Sequence, residues 1–204
     1  MIGKKKDLAL LLSGLKHVSD EQAALEQYPT PAEIAADVLW TAHMQGDITG
    51  KSVADLGCGN GILGCGALLL GAKHVAFVDA DRKVLGIAKE NVKILGTTLK
   101  KSFSANFLYK DVKMFDEQID TVVQNPPFGV QEEHADRDFL IAGIHAKAAY
   151  SFHKLGTKDF VEEFVRNYHK KATLIAKYPF PLKRSMHFHT KPVRYVDVGL
   201  WRIA

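Results

Sequence analysis

The chain has little that would fasten it covalently or anchor it in a membrane. It carries two cysteines, Cys58 and Cys65, in 204 residues, too few for a disulfide framework. Cys58 falls in a glycine-rich turn, so the pair cannot share a helix face, and the segment offers no further ligands for a metal. Both read as small buried hydrophobes. Long apolar runs are also missing. The longest, such as Ile62 to Leu70, falls well short of the ~20 residues of a membrane-spanning helix. The basic start, Met1 to Lys6, is not followed by an apolar stretch with a cleavage site. The expectation is a cytoplasmic protein with no membrane partner. Repeats and low-complexity tracts are absent. Neither charge dominates: 27 Lys and Arg against 23 Asp and Glu give a net charge of +4, which permits a polyanionic partner without demanding one.

What is present suits one domain spanning residues 1–204. Hydrophobic residues make up 47% of the chain, enough for a real core. Residues 1–50 read as a helical extension. Leu8, Leu11, Leu12 and Leu15 share one helical face, and Ile34, Val38, Leu39 and Ala42 share another. Between them lies the rigid break Tyr28-Pro29-Thr30-Pro31, with Thr30 as expected N-cap and Pro31 in the first turn. From residue 51 short apolar runs alternate with helical segments. Strands are predicted over 52–56, 75–79, 104–109, 119–124, 148–153, 173–178 and 194–203. Helices are predicted over 62–70, 82–95, 137–145 and 158–169. This alternation predicts an α/β fold with a mostly parallel seven-stranded sheet covered on both faces. The last two strands have no helix between them, only a loop with Pro179, Pro181 and Lys183-Arg184, so they are expected to pair antiparallel.

The segment Asp55-Leu56-Gly57-Cys58-Gly59-Asn60-Gly61 runs from the first strand into a helix. Its glycines allow a tight turn and close approach of backbone to a ligand. No Lys-Ser/Thr pair follows, which argues against a phosphate-cradling loop. The second strand ends at Asp79, where a carboxylate can accept both ribose hydroxyls, or else cap the next helix with Asp81. Asp111 follows the third strand, and a carboxylate there could take a hydrogen bond from an adenine amino group. Three acidic strand ends at one sheet edge read as a nucleoside site, and they suit the sulfonium of S-adenosyl-L-methionine better than the pyrophosphate of NAD.

Asn125-Pro126-Pro127-Phe128 leaves the fourth strand. Two prolines cannot continue a central strand, and they stiffen the turn beyond it. The amine of adenine is a poor nucleophile because its lone pair is delocalised. The amide oxygen of Asn125 and the carbonyl of Pro126 can accept its two hydrogens, and Phe128 can stack on an extruded base. Catalysis would then be positioning for in-line displacement.

These motifs resemble the amino-group class I methyltransferases, which have a Rossmann-like fold. Gln27-Tyr28-Pro29-Thr30, Ala54 to Gly59, Asn125 to Gly129 and Tyr150-Ser151-Phe152-His153-Lys154 further resemble the small-subunit ribosomal RNA adenine-N6 methyltransferase family (methyltransferase-like protein five and its archaeal relatives). The resemblance runs from about Leu25 to the end. It implies that Gln27, Tyr28 and Thr30 close over the methionine end of the cofactor. It implies that Gly57, Asn60 and Ile62 line the loop, and Asp55 and Gly59 are further candidate cofactor-binding residues. Asp79 would hold the ribose, Asp111 with Val112 the adenine, and Asn125, Pro126, Pro127 and Phe128 would be catalytic. It also implies a small zinc-binding activator protein paired with a sheet edge, so that no metal site is expected in this chain. Gln124 stands where that family carries an aliphatic residue.

Two polar stretches are candidate RNA contacts: residues 129–136, read as a substrate gate, and residues 183–191, which mix basic and aromatic groups. The alternatives are protein glutamine methylation on a release factor and a non-catalytic RNA-binding factor. Glutamine methyltransferases resemble this pattern with Asn-Pro-Pro-Tyr and carry a larger helical N-terminal domain. A NAD-linked oxidoreductase is a more distant reading.

Overall fold

A computed structural model describes residues 2–17, 30–127, 135–182 and 194–204. Its centre is a seven-stranded sheet in the order β3-β2-β1-β4-β5-β7-β6. The strands are β1 (Ser52–Leu56), β2 (His74–Asp79), β3 (Ala105–Tyr109), β4 (Thr121–Gln124), β5 (Ala148–Lys154), β6 (Ala172–Leu182) and β7 (Arg194–Ile203). Strands β1 to β5 pair in parallel, and β7 runs antiparallel to both β5 and β6. Helices α1 (Lys5–Ser13), α2 (Ala32–Met44), α3 (Ile62–Leu69) and α4 (Arg82–Leu99) contribute to the core on one face. Helices α5 (Ala135–Ile144) and α6 (Lys158–Arg166) cover the other.

Side-chain alternation along each strand decides the split. Val75 and Phe77 of β2 join the first core, with Leu39 and Leu68, while Ala76 and Val78 join the second. Val198 and Leu200 of β7 face the first core, and Trp201 and Ile203 belong to the second. Each fully buried side chain of Leu size contributes about 1.5–3 kcal/mol relative to exposure, so both faces are firmly covered. No helix among the described residues is long and apolar enough to cross a membrane. Both cysteines are buried free thiols. Burial pushes both thiols up from their ordinary range, which leaves them protonated and inert.

The observed elements correct the sequence reading in four places. First, Thr30 is not the cap of α2: Pro31 occupies the cap position, without a side-chain bond. Second, β6 runs straight through Pro179 and Pro181, which pair with Asp197 and Tyr195. Strand β6 is the sheet edge, so the missing N–H groups can point outward at no cost to the ladder. Third, α4 continues past Leu95 and Gly96 to Leu99, closing at Lys100 in the left-handed conformation (φ 50°). Fourth, α6 stops at Arg166, three residues short of His169, which takes φ 58°.

Candidate active site

The parallel strands β1, β2 and β4 end together, and the expected site residues within the described chain gather there. Three glycines with positive φ carry the chain from β1 into α3: Gly57 (63°), Gly59 (54°) and Gly61 (78°). A side chain at any of them would strain the backbone. At Gly57 a Cβ would also meet the Phe139 ring of α5 at 2.8 Å, and at Gly61 the Cβ of Ala88 at 2.8 Å. The first turn of α3 is held from outside. The Asp55 carboxylate accepts the Gly64 N–H at 2.7 Å, satisfying one of the orphan donors at the helix start. Gly64 has no room for a Cβ, which would lie 2.3 Å from the Phe77 ring. Ile62 is buried in the first turn of the helix.

Asp79 faces the loop rather than capping α4. Its Oδ2 accepts the Gly59 N–H and its Oδ1 the Asp81 N–H, each at 2.8 Å. Asp81 is the residue that caps α4, through the Lys83 N–H. Burial raises the Asp79 carboxyl above its ordinary range, against the backbone N–H groups of Asp81, Gly59 and Ala80 that lower it. Asp55, only 1% exposed, is raised well above that range by burial, opposed by the Gly64 N–H and reinforced by the charge of Asp79. The rim is therefore acidic in composition but reluctant to hold two adjacent charges.

Asn60 is anchored from both ends. Its Nδ2 donates to the Lys16 carbonyl at 3.0 Å, and its own carbonyl accepts from Asn91 Nδ2 at 2.9 Å. Asn91 is fully buried. It also exchanges two bonds with Lys16, donating to the carbonyl and accepting the N–H. The Asn60 side chain thus fixes the loop against the N-terminal segment. The sequence reading missed Asn91: a lone Asn in a helix carries no local signal of a partner 75 positions away. Asp111 is exposed and caps a short 3-10 turn through the Lys113 N–H, with Val112 half-buried beside it. The end of β3 is tied to the rim by the Lys110 N–H, which donates to the Asp79 carbonyl.

Asn125 leaves β4 on the same side of the sheet. Its Nδ2 donates to Thr30 Oγ1 at 3.1 Å, so the hydroxyl expected to cap α2 holds the amide instead. With the nitrogen committed to Thr30, the amide's other polar atom is its Oδ1 acceptor. Thr30 and Pro126 are buried and Pro127 half-buried. Gln27, Tyr28 and Phe128 lie outside the described residues, as do residues 129–134 of the expected gate and the basic stretch 183–191.

A glycine-turned loop, a buried acidic strand end and an Asn-Pro-Pro corner on one sheet edge form the frame in which family comparisons have meaning. Residues 33–178 match the family model of the methyltransferase small domain. The chain belongs to this methyltransferase family. The chain is similar to the rRNA N(6)-adenosine-methyltransferase METTL5 of Danio rerio, 34% identical over 96% of this chain and 95% of that protein. Drosophila melanogaster Mettl5, of the same description, is 30% identical over 98% and 95%. A solved structure of a proposed RNA methyltransferase from Pyrococcus horikoshii superposes with a TM-score of 0.84 at 38% identity, covering 100% of this methyltransferase chain and 98% of the other. Among the described residues, no group of His, Cys, Asp and Glu could hold a metal ion.

Proposed function

We propose that this chain methylates the N6 amine of adenine in ribosomal RNA, using S-adenosyl-L-methionine. The observation that carries the reading is the Thr30–Asn125 hydrogen bond. It holds an amide acceptor at the end of β4, beside the glycine loop of β1, which pairs with β4 in register through Leu56 and Gln124. The cofactor fits the residues present. Gly59 leaves open backbone, with nothing within 4 Å of a Cβ, Asp79 keeps carboxylate lone pairs for ribose hydroxyls, and Asp111 with Val112 stand at the adjoining strand end for the adenine. The bound cofactor would supply an electrophilic methyl carbon next to a positive sulfur.

The chain's own residues do the rest. Asn125 Oδ1 and the Pro126 carbonyl accept the two amine hydrogens, which localises the nitrogen lone pair and aims it. Pro126 and Pro127 remove the backbone freedom that would blur that aim. Phe128 offers the face on which the extruded base stacks. Gln27 and Tyr28 close over the methionine end of the cofactor. The chain works as one domain, its helical N-terminal segment supplying Thr30 to the corner. It acts in the cytoplasm, with a small zinc-binding activator protein on an edge of the sheet. Strand β3 offers such an edge, with exposed Tyr109 in it and exposed Met114 beyond it.

The test is transfer of labelled methyl from the cofactor to unmodified ribosomal RNA, followed by nucleoside analysis. Labelled N6-methyladenosine is the expected product. Label in protein glutamine, or none in RNA, would overturn the reading.

A further inference from the structure

Behind the corner lies a chain of buried polar side chains that the catalytic reading does not use. Gln124, the last residue of β4, directly precedes Asn125, and it is fully buried. Its Nε2 donates to the Phe139 carbonyl of α5 at 3.1 Å and to Ser151 Oγ of β5 at 2.9 Å. Ser151 Oγ lies 2.7 Å from His153 Nε2, two residues along the same face of β5. His153 Nδ1 faces Asp136 Oδ2, in the first turn of α5, at 3.5 Å. Ser151 and His153 are 0% and 1% exposed. The Trp201 ring of β7 stands edge-on to the imidazole at 5.8 Å and 73°. It fits because Gly199, opposite His153 in the ladder, has no Cβ to collide with the indole.

The direction of these bonds comes from what each group can do. A carboxylate only accepts, and a neutral imidazole has one donor and one acceptor nitrogen. With Asp136 facing Nδ1, the favourable tautomer carries its proton there, since the reverse would set a lone pair against a carboxylate. Nε2 must then accept from the Ser151 hydroxyl, whose oxygen accepts from Gln124. The donors then point one way, from Gln124 to Ser151 and from Ser151 to His153 Nε2, while the Nδ1–H faces the Asp136 carboxylate across 3.5 Å as a charge contact and not a formed hydrogen bond. Hydrogen bonds aligned in this way polarise one another.

We infer that this relay is a positioning device for the Asn125 corner, locked in the Nδ1–H tautomer of His153. The inference rests on the reading of Asn125 as the group that receives the adenine amine. The relay joins three elements that must keep register: the β4 end carrying Asn125, β5 with Ser151 and His153, and α5, whose Phe139 ring packs against Gly57 of the cofactor loop. Displacing a reacting group by an ångström can cost about 100-fold in rate. His153, Ser151 and Asp136 would act through Asn125 without touching the substrate.

Two measurements on the full chain decide it. Long-range nitrogen–proton correlation spectra of protein labelled at its histidines should show His153 protonated at Nδ1 and not at Nε2. In Asp136→Ala, which removes a half-buried carboxylate and leaves the core packed, the Nε2–H form should grow. A wild-type ring carrying a proton on Nε2 overturns the relay. In single-turnover methylation of in vitro transcribed ribosomal RNA, Asp136→Ala and Ser151→Ala should each slow transfer by about tenfold or more, with cofactor Kd and RNA KM changed less than about twofold. A rate per folded molecule equal to wild type, whatever happens to the melting temperature, overturns the positioning role. If Asn125→Ala retains full activity, the corner reading fails instead, and the tautomer result still stands as a separate test of the relay.

Discussion

The two halves of the site are built by different means. The cofactor rim at β1 and β2 is made mainly of backbone: three left-handed glycines and two aspartates that accept N–H groups from Gly59, Gly64 and Asp81. The corner at β4 and β5 is made of side chains reaching across the fold. Thr30 meets Asn125 from 95 positions away, and Gln124 meets Ser151 from 27. The difference teaches that the rim's turn is set locally between β1 and α3 and is then pinned by Asp79 of β2 and by the Asn60 tie to Lys16 and Asn91. The corner exists only after the N-terminal segment, β5 and α5 have all docked.

If so, the two halves should break differently. The largest effect belongs to Asn125→Ala, which removes the acceptor for the amine. Methyl transfer should fall by about 100- to 1000-fold, the scale seen when one preorganised hydrogen-bonding group is lost, as measured with labelled cofactor. Asp79→Asn should strike the rim instead, weakening cofactor binding by about ten- to 100-fold in calorimetry, as a charge-assisted acceptor is lost. Its carboxyl is raised by burial. Protonation removes acceptor capacity, so wild-type affinity should decline as pH falls, beginning above the ordinary aspartate range of about 3.9. The Asn variant should lose that acid limb.

A third break tests the rim's packing. Gly64→Ala places a methyl against Phe77 and should cost about 1–3 kcal/mol in denaturant unfolding, with cofactor affinity falling alongside. Thr30→Val keeps the shape but removes the acceptor for Asn125. It should lower the transfer rate by about tenfold, the equivalent of 1.4 kcal/mol, with a smaller loss of cofactor affinity. The smallest effect is expected from Tyr178→Phe, outside both halves. It removes one bond to Asp37, about 1 kcal/mol or less, and should move the melting temperature slightly and the transfer rate not at all.

The same contrast explains what could be read from the chain. Glycines at 57, 59 and 61 and the acid at 79 are local signals, because a turn and a strand end are decided by neighbouring residues. The parallel sheet was legible for a similar reason: apolar runs and helical spacing alternate along the chain. The partners of the corner were not legible. Thr30 before Pro31 has the pattern of a helix cap, and nothing nearby reveals that its hydroxyl is taken by Asn125. Gln124 stood out as a polar residue in a buried strand, but its reason lies in Ser151 and Phe139. The strand through Pro179 and Pro181 was missed because proline is excluded from central strands, and only the sheet order reveals that β6 is an edge.

The most direct test of this division is the cofactor affinity of Asn125→Ala, measured by calorimetry on the full chain. If the rim binds and the corner positions the amine, its Kd for S-adenosyl-L-methionine stays within about threefold of wild type, less than 1 kcal/mol, in a protein that no longer methylates RNA. A variant that also loses the cofactor would show that the two halves are one structure, and would contradict the account.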